Sequence, residues 1–214
     1  MLSVRPDVPK DPAKVSRIMQ SATHIFALEG YQQAKTADIA KAADVSKGIV
    51  FRYFGDKGHL FLATVQYVIE RLTDVADFKV WQDAQDLSDM ISRALRYKIS
   101  LQLEYPDEFR LSIRSFSEMS VLPDDVQAEM AQYWQTQTTM SVDLLEKPVL
   151  DRMPIRDDID QADLQRLLNA VTNQVFADSQ KFMTEHPAAD IEDLEPFIQQ
   201  IRSEYRILEH GFLK

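Results

Sequence analysis

Glycine is concentrated near the start of this chain, and this uneven distribution constrains the fold more than any other feature of the sequence. Of the five glycines in 214 residues, four fall within the first 58, at Gly30, Gly48, Gly55 and Gly58. Glycine adopts turn conformations freely and weakens helices, so it marks the ends of regular elements. We therefore predict short elements up to residue 58 and long elements beyond it.

The spacing of apolar residues predicts helices along nearly the whole chain. The helix over residues 14–29 is expected to end at Gly30, and its apolar stripe consists of Val15, Ile18, Ala22, Ile25 and Phe26. Comparable stripes continue to about residue 210, and no segment has the alternating pattern of a β-strand. The sequence thus predicts an all-α fold of about nine helices, preceded by an extended arm over residues 1–12 that contains three prolines.

Two short predicted helices follow Gly30, over residues 36–43 and 46–54, with a turn at Asp44-Val45 between them. This arrangement is typical of a helix-turn-helix. Ser46 is a favourable N-cap for the second helix. Because that helix is short and its N-terminus is accessible, it suits the major groove of DNA, and its unpaired N–H groups suit phosphate.

The first turn of the helix at 46–54 carries residue types suited to DNA. Ser46 supplies the cap and Lys47 supplies a cation. Gly48 has no side chain, so the helix backbone can approach the DNA closely. Base contacts are assigned to Ile49 and Arg52, and phosphate contacts to Tyr53 and Lys57.

The charge of the chain is divided in the same way as its glycine. The net charge of −10 and the pI near 4.9 argue at face value against a nucleic-acid partner. Residues 1–58, however, hold nine basic and six acidic side chains, a local charge of +3, whereas residues 59–214 sum to −13. The distribution therefore predicts a DNA-binding domain over residues 1–58 and an acidic second domain over residues 59–214.

Residues 18–60 resemble the DNA-binding domain of the TetR family of bacterial transcriptional regulators. The matching positions are Ile18, Ala22, Phe26, Gly30, Tyr31, Ile39, Ala40, Ala43, Val45, Ser46, Lys47, Gly48, Val50, Tyr53, Phe54, Lys57 and Leu60. Beyond residue 60 the resemblance rests on chain length and on the all-helical pattern.

The sequence departs from the family pattern at three places. Ala34 and Lys35 stand where the family usually has threonine or serine, and the threonine comes one position later, at Thr36. Asp44 replaces the turn glycine, and Phe51 replaces the usual tyrosine, whose hydroxyl is therefore lost. Since the family contacts phosphate at the start of the second helix, Lys35 and Thr36 are added to the predicted DNA contacts.

The resemblance implies that the second domain binds a ligand. The aromatic and long apolar residues chosen for a pocket are Trp81, Tyr97, Leu101, Tyr105, Phe109, Phe116, Met119, Tyr133, Trp134, Met140 and Phe176. Such stripes usually form the ordinary core of a helical domain. Arg110 and Arg114 lie four apart on one helix face, where surface salt bridges explain them better than an anionic ligand does.

The resemblance also implies a homodimer, paired through a four-helix bundle across a two-fold axis. The last two predicted helices, about 162–185 and 191–210, have the widest apolar stripes. The predicted interface residues are Leu168, Val171, Val175, Phe197, Ile201, Tyr205 and Leu208.

Several classes of protein are excluded by what the sequence lacks. With no cysteine there is no disulfide framework, zinc finger or iron–sulfur site, and the four histidines have no metal-ligand spacing. A glycine-rich phosphate loop and a nucleophile elbow are absent, so no enzyme, cofactor or metal is predicted. No apolar run approaches the ~18 residues of a membrane span, and the expected location is cytoplasmic.

Together these observations predict a ligand-responsive homodimeric repressor that binds a palindromic operator in double-stranded DNA. Two alternatives remain, a helical interaction protein with a vestigial helix-turn-helix and a DNA-binding co-factor without a small-molecule inducer. The first alternative gives no reason to keep Lys47, Gly48, Tyr53 and Lys57.

Overall fold

The computed structural model describes residues 8–141, 147–185, 193 and 195–211. Every regular element in these ranges is a helix, which confirms the all-α prediction. A 3-10 turn spans Met119–Val121, and the α-helices are α1 Pro12–Gln33, α2 Thr36–Ala42, α3 Lys47–Phe54, α4 Lys57–Val75, α5 Lys79–Gln82, α6 Leu87–Glu104, α7 Pro106–Ser117, α8 Asp124–Ser141, α9 Lys147–Leu150, α10 Gln161–Glu185 and α11 Glu195–His210.

The described ranges hold eleven α-helices, where about nine were predicted. The difference comes from α5 and α9, which have four residues each. A single turn is too short to show a periodic apolar stripe, so the sequence pattern does not reveal such helices.

The predicted end of the first helix at Gly30 is wrong by three residues. Gly30 does leave the helical path, with φ 75° and ψ 176°, but the chain resumes one more turn and ends at Gln33. The predicted N-cap of α3 is confirmed, and α4 begins with a side-chain cap of its own. Ser46 Oγ accepts a hydrogen bond from Ile49 N at the start of α3, and the Asp56 carboxylate accepts one from His59 N at the start of α4.

The chain forms two compact units. The first comprises residues 1–76 and 104–137, and therefore joins α1 to α4 with α7 and most of α8. Phe26 and Phe61 meet edge to face in its core, with ring centroids 5.0 Å apart, and Leu111 and Met130 are fully buried in the same cluster. The predicted functional boundary after residue 58 falls inside this unit and stays a prediction.

The second unit comprises residues 77–103 and 138–214. Its internal ties include the Glu209 carboxylate, which accepts hydrogen bonds from Leu87 N and Ser88 N at the start of α6. Arg152 donates to the carbonyls of Gln82 and Ala84 at the end of α5. The charged side chains of Glu209 and Arg152 thus hold the start of α6, the end of α11 and the end of α5 in place.

Candidate nucleic-acid interface

The turn between α2 and α3 is held in one conformation by backbone bonds. Asp44 has a φ of +52°, the left-handed conformation that aspartate tolerates better than most residues. Val45 N donates to Ala40 O at 3.0 Å and closes the turn. Arg17 of α1 donates to Ala43 O at 2.9 Å, which anchors the turn to the first helix.

One face of α3 is buried and the other is exposed. Val50, Tyr53 and Phe54 face the core, each no more than 4% exposed. The opposite face presents the exposed residues Ser46, Lys47, Gly48 and Arg52, while Ile49 is half-buried. Because the first N–H groups of a helix have no intrahelical acceptor, this face offers backbone donors as well as cations.

Gly48 occupies the first turn of α3 without any internal requirement for glycine. Its backbone is helical, and a Cβ placed on it would have Ser46 Oγ, at 3.8 Å, as the nearest atom outside the backbone of α3. Glycine destabilises a helix by about 1 kcal/mol relative to alanine. A glycine with space around it on an exposed face suits a surface to which another molecule's backbone comes close.

Three predicted contact residues are exposed cations, Lys35, Lys47 and Arg52. Lys35 is the N-cap residue of α2 and makes no side-chain cap bond. Lys47 Nζ lies 5.4 Å from the centroid of the Phe51 ring. None of the three pairs with a carboxylate in the part of the chain that the structure describes. Their charge is thus available to an anionic partner.

Two other predicted contacts, Thr36 and Tyr53, lie mostly inside the protein. Thr36 is 8% exposed and Tyr53 is 4% exposed. The Tyr53 hydroxyl accepts a hydrogen bond from Asp11 N at 3.2 Å and so ties α3 to the start of α1. A phenol that accepts a bond keeps its own proton to donate, so a phosphate contact by Tyr53 stays a prediction.

Lys57, the last predicted contact, is half-buried at the start of α4. Its ammonium donates to Gln32 O at 3.1 Å and lies 4.8 Å from the centroid of the Tyr31 ring. Burial lowers the pKa of Lys57, while the charges of Glu118 and Glu29 act in the opposite direction. The ammonium is therefore positioned by neighbours from α1.

Sequence reasoning missed the part of α7 that contacts α1 at Gly30. Arg114 Nη1 and Glu118 Oε1 form a salt bridge at 3.2 Å, as the spacing of charges on α7 suggested for Arg114. The other Glu118 oxygen accepts a hydrogen bond from Tyr31 N at 2.5 Å. A Cβ on Gly30 would collide with the ends of both side chains, so the absence of a Cβ leaves room for this Arg114–Glu118 pair against α1.

The residues chosen for a ligand pocket fall into both compact units. In the second unit, Trp81 and Tyr97 meet edge to face at 5.1 Å, and Leu101 is buried on α6. In the first unit, Phe116 stacks on Trp134 with centroids 4.1 Å apart, and the half-buried residues are Tyr105, Phe109, Met119 and Tyr133. Met140 is exposed, and the Phe176 side chain lies outside what the structure describes.

Buried hydroxyls in the first unit lack hydrogen-bond partners among the described residues. Burial, with a further contribution from Glu70, raises the pKa of Tyr133, and its hydroxyl is unpaired. Thr23 is 5% exposed and its hydroxyl is also unpaired. Thr23 lines a cleft of about 110 Å³ between α1, α4 and α7. Two other lining residues, His24 and Asp107, contact each other through Nδ1 and Oδ2 at 2.7 Å. Sequence reasoning missed this cleft because its lining is polar.

Most of the predicted dimer residues belong to the core of the second unit. Leu168, Val175, Ile201 and Tyr205 are no more than 4% exposed in the single chain, and the half-buried members are Val171, Phe197 and Leu208. Two neighbours in the sequence, Leu167 and Ile207, are each 49% exposed. Each of these two side chains is more exposed than any residue of the predicted set.

Within the described ranges, no helix has the length and apolarity needed to cross a membrane. The same residues contain no cluster of three or more histidine or carboxylate side chains placed to hold a metal ion.

Known proteins whose sequences are similar to this chain include HTH-type transcriptional regulators. Residues 18–64 match the family described as "Bacterial regulatory proteins, tetR family". The HTH-type transcriptional repressor SCO4008 of Streptomyces coelicolor is 28% identical over 165 residues, which cover 77% of this chain and 79% of that protein. The HTH-type transcriptional regulator BetI of Yersinia pestis is 36% identical over 67 residues, which cover 31% of this chain and 34% of that protein.

Solved structures share the fold over nearly the whole chain. The fatty acid degradation regulator FadR from Bacillus halodurans has a TM-score of 0.62 at 15% identity, covering 93% of this chain and 100% of that one. A TetR-like transcriptional regulator from Rhodococcus sp. RHA1 has a TM-score of 0.62 at 13% identity, with 96% and 100% covered. FadR from Bacillus subtilis in complex with stearoyl-CoA has a TM-score of 0.57 at 14% identity, with 93% and 100% covered.

Proposed function

The chain is a DNA-binding transcriptional regulator of the TetR family, and from this premise we propose that it acts as a homodimeric repressor released from a palindromic operator by a small molecule. We assign DNA binding to residues 1–58 and effector binding and dimerisation to residues 59–214. The protein acts by binding alone, without a cofactor, and we place it in the cytoplasm.

The exposed face of α3 is the observation that carries this proposal. Helix N–H groups, Lys47 and Arg52 point away from the core on that face, and Gly48 leaves the first turn free of a side chain. The major groove admits a helix only when its contacting face is narrow and can approach the base edges. In this arrangement Lys47 binds phosphate, and Ile49 and Arg52 face the bases.

A dimer is part of the proposal because one short helix has too few contacts for specific binding. Phosphate contacts weaken steeply with salt, so a single DNA-binding domain binds weakly at physiological ionic strength. Two recognition helices about 34 Å apart read adjacent major grooves and explain a palindromic site. The exposed side chains of Leu167 and Ile207 supply apolar surface for a second copy.

Effector binding is supported by the buried hydroxyl of Tyr133, which has no hydrogen-bond partner among the described residues. A buried polar group without a hydrogen bond destabilises the protein by roughly 1–3 kcal/mol. A ligand that bonds such a group recovers part of this energy. To change DNA affinity, the effector must bind the DNA-free and DNA-bound conformations with different affinities.

Selection of bound duplexes from a random pool tests the DNA-binding part of the proposal. We expect enrichment of an inverted repeat with half-site centres about 10 base pairs apart or a multiple of that spacing. Arg52→Ala should relax the preference at one position of each half-site, by about 1–3 kcal/mol. Arg206→Ala, which removes an exposed arginine from α11, is the matched control. No enriched sequence and no salt-sensitive retention on DNA would instead favour the interaction-protein alternative.

Release of the selected operator by small molecules tests the effector part. A panel of metabolites, including the stearoyl-CoA named with the Bacillus subtilis FadR, is added to the labelled complex and followed by fluorescence anisotropy. A ligand that both releases DNA and raises the Tm of the free protein supports the proposal. Release without a change in Tm argues against binding to this protein.

A further inference from the structure

Glu118 follows the last residue of α7 and contacts α1 at its kink. Tyr31 N donates a hydrogen bond to Glu118 Oε2 at 2.5 Å, and Arg114 Nη1 donates to Glu118 Oε1 at 3.2 Å. Arg114 Nη2 also donates to Leu28 O at 3.2 Å. Two side chains from one end of α7 therefore hold the backbone of α1 on both sides of Gly30.

Lys57 contacts Tyr31 and Gln32 of α1, next to the backbone that Glu118 and Arg114 hold. Its ammonium donates one hydrogen bond to Gln32 O at 3.1 Å and lies over the Tyr31 ring. An ammonium has three N–H donors, so the others are left for a phosphate. The position of this cation is thus set by residues 31 and 32, whose backbone is fixed by Glu118.

The charge of Glu118 also acts on Lys57. Burial lowers the pKa of the lysine, and the carboxylates of Glu118 and Glu29 oppose that change. A nearby negative charge favours the ammonium form because the two charges attract. Glu118 therefore both fixes the backbone under Lys57 and supports its charge.

We propose that Glu118 is a positioning residue for the phosphate contact of Lys57. Since Glu118 follows α7 and lies outside the helix-turn-helix, a displacement of α7 would release the end of α1 and loosen the ammonium. The idea deepens the proposed function and rests on it, because it assumes that Lys57 binds a DNA phosphate. Glu118 itself does not contact DNA in this scheme.

The salt dependence of DNA binding provides the test. The probe is a labelled duplex of about 30 base pairs that carries the selected sequence, long enough for two half-sites. Lys57→Met keeps most of the aliphatic chain and removes the charge, so the slope of log K against log salt should fall by about one per protomer. Glu118→Ala should lower the slope by a similar amount. The double variant should bind like Lys57→Met alone.

Two controls separate positioning from general damage. Glu118→Gln removes the charge but keeps an oxygen that accepts from Tyr31 N, so in a buffer in which Lys57 stays protonated its slope should match the parent protein. Glu195→Ala removes a carboxylate that pairs with Arg96 at 2.6 Å in the second unit, and its slope should also be unchanged. If Glu118→Ala does not fold, Arg114→Leu removes the bond to Leu28, and a lowered slope is again expected.

The outcomes distinguish this inference from the function on which it rests. If Lys57→Met lowers the slope but Glu118→Ala does not, or if the two effects on affinity add, Glu118 does not act through Lys57. A merely structural role for Glu118 reduces the active fraction and leaves the slope unchanged. If Lys57→Met itself leaves the slope unchanged, the proposed phosphate contact of Lys57 is wrong.

Discussion

Replacing Gly48 by alanine should stabilise the protein and weaken its binding to DNA. The added Cβ has Ser46 Oγ as its nearest neighbour outside the helix backbone, at 3.8 Å, which is an ordinary contact. In a helix alanine is favoured over glycine by roughly 0.5–1 kcal/mol. For a chain of this size, 1 kcal/mol corresponds to roughly 2–4 °C in Tm, so a rise of about 1–4 °C is expected.

The effect of Gly48→Ala on DNA binding should have the opposite sign. On the exposed first turn of α3 a methyl group holds the DNA backbone away from the helix N–H groups, and hydrogen bonds to charged groups lose strength steeply with distance. We expect operator affinity to fall at least about tenfold, which is about 1.4 kcal/mol. Urea unfolding and fluorescence anisotropy on the selected duplex measure the two effects in one preparation.

Gly58 provides the comparison for Gly48→Ala. A Cβ on Gly58 would lie 2.8 Å from Val126 Cγ2, so Gly58→Ala should destabilise the protein. The reasoning about Gly48 is refuted if its alanine variant is less stable than the parent. It is also refuted if the variant gains stability and still binds the operator with the parent affinity.

Three further predictions concern stability, each measured by urea unfolding. Gly30→Ala should lower the unfolding free energy by at least about 2 kcal/mol, because the new Cβ meets Glu118 and the backbone has a φ of 75°; an effect below half that size contradicts the packing argument. Ser46→Ala removes the cap of α3 and should lower the unfolding free energy by about 1 kcal/mol, whereas Ser16→Ala on the exposed face of α1 should change it little. Burial raises the pKa of Asp56, but hydrogen bonds from His59 outweigh it and lower the pKa below the ordinary 3.8. The carboxylate therefore stabilises the fold above pH 3.8, and this contribution is lost as the pH falls through the lower folded-state pKa. Asp56→Asn should reduce the decrease in unfolding free energy between about pH 5 and about pH 3. If the variant loses as much unfolding free energy as the parent over this range, Asp56 is not the source of the decrease.

Local chemistry made the helix-turn-helix predictable. Ser46 and Asp56 are caps because their short polar side chains reach backbone N–H groups of the following turn, and such signals are contained within four residues. The exposed face of α3 was also predictable from local sequence, because the 3.6-residue period of a helix determines which residues share a face.

Contacts between distant parts of the chain were not predictable in this way. Lys57 rests on Gln32, and Glu118 accepts from Tyr31, but no local pattern pairs residues so far apart in the sequence. Apolar stripes are ambiguous in a related way. They indicate that a helix face is buried, but not whether it packs against the same chain or against a second subunit. Tyr205 therefore fitted a predicted dimer interface although it is 1% exposed in the single chain.

The two glycines that α7 and α8 approach most closely bear on the engineering of hybrid regulators. No Cβ fits at Gly30 beside Glu118, or at Gly58 beside Val126, so the first 58 residues are shaped to one particular pair of neighbours. A graft that transfers residues 1–58 to another regulator would set this surface against foreign side chains. Transferring residues 104–137 together with residues 1–76 keeps the matched surfaces, and a hybrid built in this way should retain both its fold and its operator preference.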